Sequence, residues 1–387
     1  MTVSLPLPRS TYDARWVSLR AFLREEELEC AIIVAPEPQY WLCGYDTFLG
    51  SVLPQALIFP ISSEAPILVV WDADVAIARQ TGLVEEIWTY RFGVDEPADR
   101  FIEAAAHSAP VLKRVGVDLS SHALPYAFGA QLVEKLAGIE IFDIAPDLAL
   151  MRAVKSPEEL ALMRAAGRYA NAGLEAFRAH AKPGVSEIAL AGEVEFAMRK
   201  AGSDYASIPT EMTSGVRSVQ GHGTPAAHPL EPGALVHIEI GGVERRYNSV
   251  GMQTLVVPGA APKASAVELY DLARDCLSAG LGQLRPGVPA AEVEAPALEL
   301  IRSAGQGENF KMRFGYGVGI GYPPTWLEPL KITRTSTDVL VPGTTFVLHA
   351  CLLDEADNVG VLAGGTYAMT ETGYEMLSGA GDVALRH

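Results

Sequence analysis

The sequence has no hydrophobic run near the roughly 18 residues that a membrane span requires. It is short of basic residues: 30 Lys and Arg stand against 47 Asp and Glu, a formal net charge of −17. Phosphate backbones are held by basic stripes, so this balance speaks against a nucleic-acid partner and is that of a soluble, self-repelling protein. Only four cysteines occur, Cys30, Cys43, Cys276 and Cys351, with no CxxC spacing. That scatter argues against a zinc knuckle or a disulfide framework and fits buried free thiols in a reducing cytoplasm. Residues 1–10 lack a basic segment followed by an apolar one, so no secretory signal is read and a cytoplasmic location is expected. What remains is an ordinary globular composition, 49% hydrophobic and 20% charged, in a chain whose 387 residues suggest two domains.

The first 150 residues alternate in type. An amphipathic helix is expected over 15–27, then short buried strands at 30–35, 55–59, 66–71 and 114–118, with helices at 74–80 and 124–136. Such alternation predicts a layered α/β domain over 1–150. A boundary falls at 151–156. There Ser156-Pro157-Glu158-Glu159 carries an N-cap serine, a first-turn proline and a capping-box glutamate, so a helix starts and a second domain, 151–387, begins.

That second part carries a weak internal repeat. Pro183-Gly184-Val185, a helix and Ala201-Gly202 match Pro286-Gly287-Val288, a helix and Ala304-Gly305. Each copy follows a helix with an Ala-Gly-Leu segment and leads into a glycine-containing stretch. Two similar helix–helix–strand halves imply pseudo-twofold architecture with a site between them. Convergent Pro-Gly turns before helices would produce part of the same pattern.

The chemistry concentrates on one strand, residues 235–242, Leu-Val-His-Ile-Glu-Ile-Gly-Gly. Alternate side chains share a face, so His237, Glu239 and Gly241 point one way while Val236, Ile238 and Ile240 point to a core. A carboxylate in so apolar a strand is costly unless paired or functional. His349 poses the same question in the apolar strand 345–353, where a satisfied core histidine is the alternative. His222 closes a Gly-His-Gly segment and is either a turn residue or a base. Gly315, Gly317, Gly319 and Gly321 alternate with period two and lack a GxGxxG context, which indicates close backbone packing rather than a phosphate loop.

These segments resemble the pita-bread family that includes creatinase, aminopeptidase P, prolidase and methionine aminopeptidase. The resemblance rests on Ser214-Gly215 to His222, Ile238-Glu239-Ile240-Gly241, Gly315-Tyr316-Gly317-Val318-Gly319, Pro342-Gly343-Thr344-Thr345-Phe346 and Thr370-Glu371-Thr372-Gly373. It spans essentially the whole chain. It implies an α+β fold: a creatinase-type α/β N-terminal domain followed by a pita-bread catalytic domain, in a homodimer whose N-terminal domains complete the partner's cleft. Within the family the likeness is to the creatinase and ectoine hydrolase branch, and to ectoine hydrolase through Gly44-Tyr45-Asp46, Gly315-Tyr316, Tyr322-Pro323-Pro324, Trp326, Glu328 and Arg334.

The peptidases of this family bind two metals through two Asp, a His and two Glu. The matching positions here are Glu239, Val250, Tyr316, His349 and Gly365, a set without the bridging carboxylates a dinuclear site needs. The expectation is therefore no metal and no cofactor. It is a metal-independent hydrolase, of creatinase or ectoine hydrolase type (EC 3.5), acting on an amidine, guanidine or amide C–N bond of a small amino-acid-like or compatible-solute-like molecule. By the resemblance His222 stands as general base, with Glu239 holding or protonating the group attacked. Tyr316, Tyr247, His349, His237, Arg334 and Glu328 are the substrate-binding candidates. For Tyr316 and Tyr247 core packing is the alternative, for Arg334 a solvated surface position, and for Glu328 a turn cap. Two other readings stay open. One is a mononuclear metal site from His237, Glu239, His349 and His222, serving an Xaa-Pro-type peptidase or a lyase. The other is an inactive ligand-binding homologue.

Overall fold

The structure, a computed structural model, describes residues 5–62, 65–109, 111–379 and 385. The chain forms two compact units, Met1–Arg152 and Ala153–His387. The first unit is built on strands β1 (Cys30–Ile33), β2 (Ala56–Pro60), β3 (Ile67–Trp71), β4 (Glu86–Tyr90), β5 (Arg114–Val117) and β6 (Glu140–Asp143). They pair in the order β4-β3-β2-β1-β5-β6, with β1 antiparallel to β2 and parallel to β5. Helices α1 (Arg9–Glu25), α2 (Pro36–Cys43), α3 (Val75–Thr81), α4 (Pro97–Ser108), α5 (Tyr126–Lys135) and α6 (Ala145–Ala153) alternate with these strands along the chain, except that β3 follows β2 directly. Cys30, Ile32, Ile58, Val69 and Val115 pack with Phe101 and Ala105 of α4 in one core. The run at 30–35 is shorter as a strand than its apolar length, because Pro36 opens α2 with Ala35 as its cap. The buried Asp118 carboxylate accepts the amides of Val34 (2.8 Å) and Ala35 (2.7 Å) at that junction.

The second unit opens with α7 (Pro157–His180), whose start is the expected capping box: Ser156 caps the Glu159 amide and the Glu159 side chain caps Ser156. After α8 (Glu187–Ala201) come β7 (Glu211–Ser214), β8 (Leu235–Glu244) and β9 (Tyr247–Val256). Helix α9 (Ala264–Leu281), short β10 (Val288–Pro289) and α10 (Ala290–Ser303) follow. Strands β11 (Gly315–Tyr322), β12 (Thr325–Ile332), β13 (Val339–Leu340), β14 (Thr345–Asp354), β15 (Val359–Met369) and β16 (Tyr374–Gly379) complete it. The main sheet runs β12-β11-β14-β15-β9-β8-β7, with β16 beside β15, and β11 also reaches β9 at Ile320–Tyr247.

The repeated Pro-Gly-Val turns are alike in conformation: Gly184 and Gly287 both have φ +81, a region where glycine carries no penalty. The two helix pairs cover two stretches of the sheet. Val236, Ile238 and Ile240 of β8 pack with Leu174 and Phe177 of α7 and Leu190 and Val194 of α8. Leu348, Ala350 and Leu352 of β14 pack with Leu269, Ala273, Val293 and Ala297 of α9 and α10. Both strands alternate, so this burial sends the other set, His237 and Glu239 on β8 and His349 and Cys351 on β14, to the opposite face.

Candidate active site

On that opposite face lies a cavity of about 320 Å³, within the size range of small-molecule sites. Four of the sequence candidates for binding or catalysis beyond Glu239 line it, namely His222, His237, Tyr316 and His349, and Glu239 itself stands among them. The strand register explains the gathering. Glu239 of β8 lies opposite Glu211 of β7, and Tyr316 of β11 lies opposite Val347 of β14, two residues before His349.

Glu239 is half-buried and accepts the Tyr316 hydroxyl on Oε1 at 2.8 Å. Trp326 Nε1 in turn donates to the Tyr316 oxygen at 3.2 Å. The indole can lie against β8 because Gly241 has no side chain; a Cβ there would sit 2.7 Å from the Trp326 ring. Burial pushes the Glu239 carboxyl up to about 7, against the opposing pull of the Tyr316 hydrogen bond and the Arg313 charge. The same burial holds the Tyr316 phenol well above its ordinary range; the Glu239 charge adds to the effect, and the Trp326 hydrogen bond opposes it.

His349 is 4% exposed, and its Nδ1 has no hydrogen-bond partner among the described residues. Burial first, then the charges of Arg313 and His222, bring its imidazole down to about 4, so it is a neutral ring at neutral pH. His237 has a different task. Its Nε2 is 2.8 Å from the Ser218 carbonyl and 3.1 Å from Thr213 Oγ1, and burial lowers its pKa. It pins the loop that carries His222. Glu187 of α8 pins the same loop, accepting Ser214 N (2.7 Å), Ser214 Oγ (2.8 Å) and Ala226 N (3.0 Å) and pairing with Arg217. His222 itself is exposed at the cavity and makes no hydrogen bond with a described residue.

Three candidates stand elsewhere, each engaged by another partner. Tyr247 donates to Glu159 Oε1 at 2.8 Å and so secures the capping box of α7. Glu328 is buried in an ion pair with Lys155, its carboxylate filling the space left by Gly319. Arg334 is exposed and 3.7 Å from Glu294 of α10. None of the three lines the cavity. Conversely, Glu211, Arg313 and Trp326 do line it and were not singled out as site residues from the sequence, apart from Trp326 as part of a motif. Glu211 occupies a four-residue strand with no legible alternation. Arg313 precedes β11 in an irregular segment, its guanidinium 5.3 Å over the Tyr316 ring.

Cys351 also faces the cavity, but burial raises its thiol to about 12, which removes it as a nucleophile. The alternating glycines of β11 serve close packing: a Cβ on Gly315 would meet the Val347 carbonyl at 2.5 Å and one on Gly317 would meet Leu330 at 2.9 Å.

The pattern of metallopeptidase family M24 matches residues 161–374, and that of the creatinase/prolidase N-terminal domain matches residues 15–154. The chain belongs to metallopeptidase family M24. Its pita-bread catalytic domain follows a creatinase-type N-terminal domain. Among its relatives, the Xaa-Pro dipeptidase of Pyrococcus horikoshii is 27% identical over 75% of this chain and 77% of its own. The uncharacterized peptidase YqhT of Bacillus subtilis is 30% identical over 60% of this chain and 64% of its own. The fold matches the Pyrococcus horikoshii prolidase with a TM-score of 0.81 at 23% identity, covering 94% of this chain and 98% of that one. It matches the Xaa-Pro dipeptidase of Bacillus anthracis with 0.83 at 20% identity, covering 97% and 99%. These likenesses place the M24 chain among hydrolases; they do not single out the creatinase or ectoine hydrolase branch.

The residues of this M24 chain do not fit a dinuclear metal centre. Val250 offers no donor, and the Tyr316 hydroxyl is committed to Glu239. The last ligand position needs a correction of one residue. Gly364, not Gly365, lies opposite His349 and shares its face, whereas a Cβ on Gly365 would point into the Ser378 carbonyl. Gly364 likewise has no side chain, and a Cβ there would sit 2.5 Å from His349 Cβ. Nor do His237, Glu239, His349 and His222 assemble a single-metal site: among the described residues no three His, Cys, Asp or Glu side chains converge to hold an ion. Among the described residues no helix is long and apolar enough to cross a membrane.

Proposed function

We propose that this M24 protein hydrolyses a non-peptide C–N bond, of amidine, guanidine or amide type, in a small amino-acid-like molecule without a bound metal. The observation that carries the reading is the substitution pattern on the cavity face. Val250, Tyr316 and Gly364 stand where ligands are needed, while an imidazole and a carboxylate, His222 and Glu239, remain on the same cavity. His222 takes a proton from water as the water oxygen bonds to the substrate carbon. The C–N bond then breaks, and the same imidazole returns the proton to the leaving nitrogen. Glu239, with its second oxygen free of Tyr316, holds the substrate's nitrogen group.

A second reading, Xaa-Pro dipeptide hydrolysis, is favoured by the names of the relatives. One assay separates the two. Small amidino, guanidino and cyclic-amidine acids and an Xaa-Pro dipeptide are incubated with metal-stripped protein, then with added Mn²⁺ or Zn²⁺. Turnover of a non-peptide acid that a chelator leaves unchanged, and that His222→Ala lowers by about 10²-fold or more, is the expected result. Dipeptide cleavage that a chelator abolishes and metal restores would replace this reading with the second.

A further inference from the structure

The cavity contains a carboxylate for which the proposed reaction has no task. Glu211 is partly buried, lies directly across β7–β8 from Glu239, and makes no hydrogen bond or ion pair with a described residue. Burying a carboxylate with no partner is costly, and placing it against a second carboxylate raises the cost. Structural carboxylates elsewhere in this unit avoid it: Glu187 accepts four hydrogen bonds and Glu328 has Lys155. A second group on the same cavity is also unsatisfied, the buried Nδ1 of His349.

We propose that Glu211 is a specificity-determining residue that, together with Glu239, accepts a planar, delocalised nitrogen cation such as an amidinium or guanidinium. The proposal rests on the reading of Glu239 as the anchor and adds the second half of that anchor. Two carboxylates on neighbouring strands present oxygens side by side, which suits the fork of N–H donors of a planar cation better than the single point of an ammonium. The aromatic wall of Tyr316 and Trp326 gives such a cation a face to lie against. A divalent metal is the less suitable occupant, since no third donor converges on the pair. The cavity's own cations do not fill the place. Lys311 is engaged by Glu355, and Arg313, which lies 5.3 Å over the Tyr316 ring, forms no ion pair with either carboxylate.

The test is calorimetric binding of acetamidinium to the full-length protein, with ammonium, neutral acetamide and Mg²⁺ as comparison probes. Acetamidinium should bind saturably and at least about tenfold more tightly than acetamide or ammonium, and Glu211→Gln should weaken it about tenfold. Equal affinity for acetamidinium and acetamide in the unaltered protein overturns the proposal without any variant, so a misfolded variant cannot rescue it. Binding lost in Glu239→Gln but kept in a folded Glu211→Gln overturns the role of Glu211 and leaves the anchor standing. Binding kept in both overturns the subsite and the anchor together. Tight Mg²⁺ binding that depends on Glu211 overturns the choice of a nitrogen cation.

Discussion

Tyr316 donates its hydroxyl proton to Glu239 Oε1 at 2.8 Å while accepting from the Trp326 indole at 3.2 Å. The phenol thus transmits one donor to the carboxylate that burial has already made reluctant to ionise. A hydrogen bond to a charged group is worth about 1.5–3 kcal/mol, and about 1.4 kcal/mol corresponds to one pH unit. Tyr316→Phe removes the bond that favours the ionised form, so the Glu239 titration should move upward from about 7 by on the order of one unit. The ¹³C carboxyl shift of Glu239, assigned by difference from Glu239→Gln, would report it. An unchanged or lowered midpoint would contradict the role given to Tyr316.

Glu211 makes a second pH prediction, this time for stability. Burial and the Glu239 charge raise its carboxyl from 4.5 to about 8 in the folded chain. The folded state therefore binds more protons than the unfolded one between these values. The benefit of the raised group is complete below about 4.5 and is lost as pH rises through about 8. Glu211→Gln escapes that loss. Its melting temperature should match the parent's near pH 4.5 and exceed it by a few degrees or so at pH 9. A constant offset across this range would show that Glu211 is ionised throughout.

The sequence pattern made much of the fold legible because apolar alternation and capping chemistry are local. Ser156 to Glu159 mark the start of α7, and the alternation of β8 alone puts His237 and Glu239 on a common face. Apart from His222, which its Gly-His-Gly segment marked, the cavity residues legible in the sequence lay on such regular strands. Glu211 lies on a strand too short to show a period, and Arg313 lies on none. Tyr247, Glu328 and Arg334 lie off the cavity for another reason: their partners, Glu159, Lys155 and Glu294, are 88, 173 and 40 positions distant in sequence, and no local pattern reports them. The placement of Gly365 was an error of parity. A shift of one residue moves a strand position to the other face, so only the pairing of His349 with Gly364 could correct it.

The loop bearing His222 should be as firm as Glu187 makes it. Glu187 is fully buried and holds Ser214, Ala226 and Arg217 from one carboxylate. Glu187→Gln keeps the shape but replaces charge-assisted bonds with neutral ones and donates where the amides need an acceptor. A loss of about 1–3 kcal/mol is expected, with faster amide exchange confined to residues 213–226. Exchange that quickens uniformly over the sheet would mean that Glu187 supports the whole unit rather than the loop.

Glu328, finally, is assigned to stability and not to the substrate, and a double-mutant cycle tests that assignment. Lys155 and Glu328 are both almost fully buried and face one another across the unit. Lys155→Met leaves the Glu328 carboxylate buried without a cation, which costs about 3–5 kcal/mol. Lys155→Met combined with Glu328→Met removes both charges, and replacing a buried pair by apolar side chains is often neutral or stabilising. The double variant should therefore recover most of the stability that the single one loses, as read by chemical denaturation. Because neither residue lines the cavity, the recovered double variant should bind acetamidinium as the parent does. Stability losses that add, or acetamidinium binding that disappears with the pair, would return Glu328 to the substrate site.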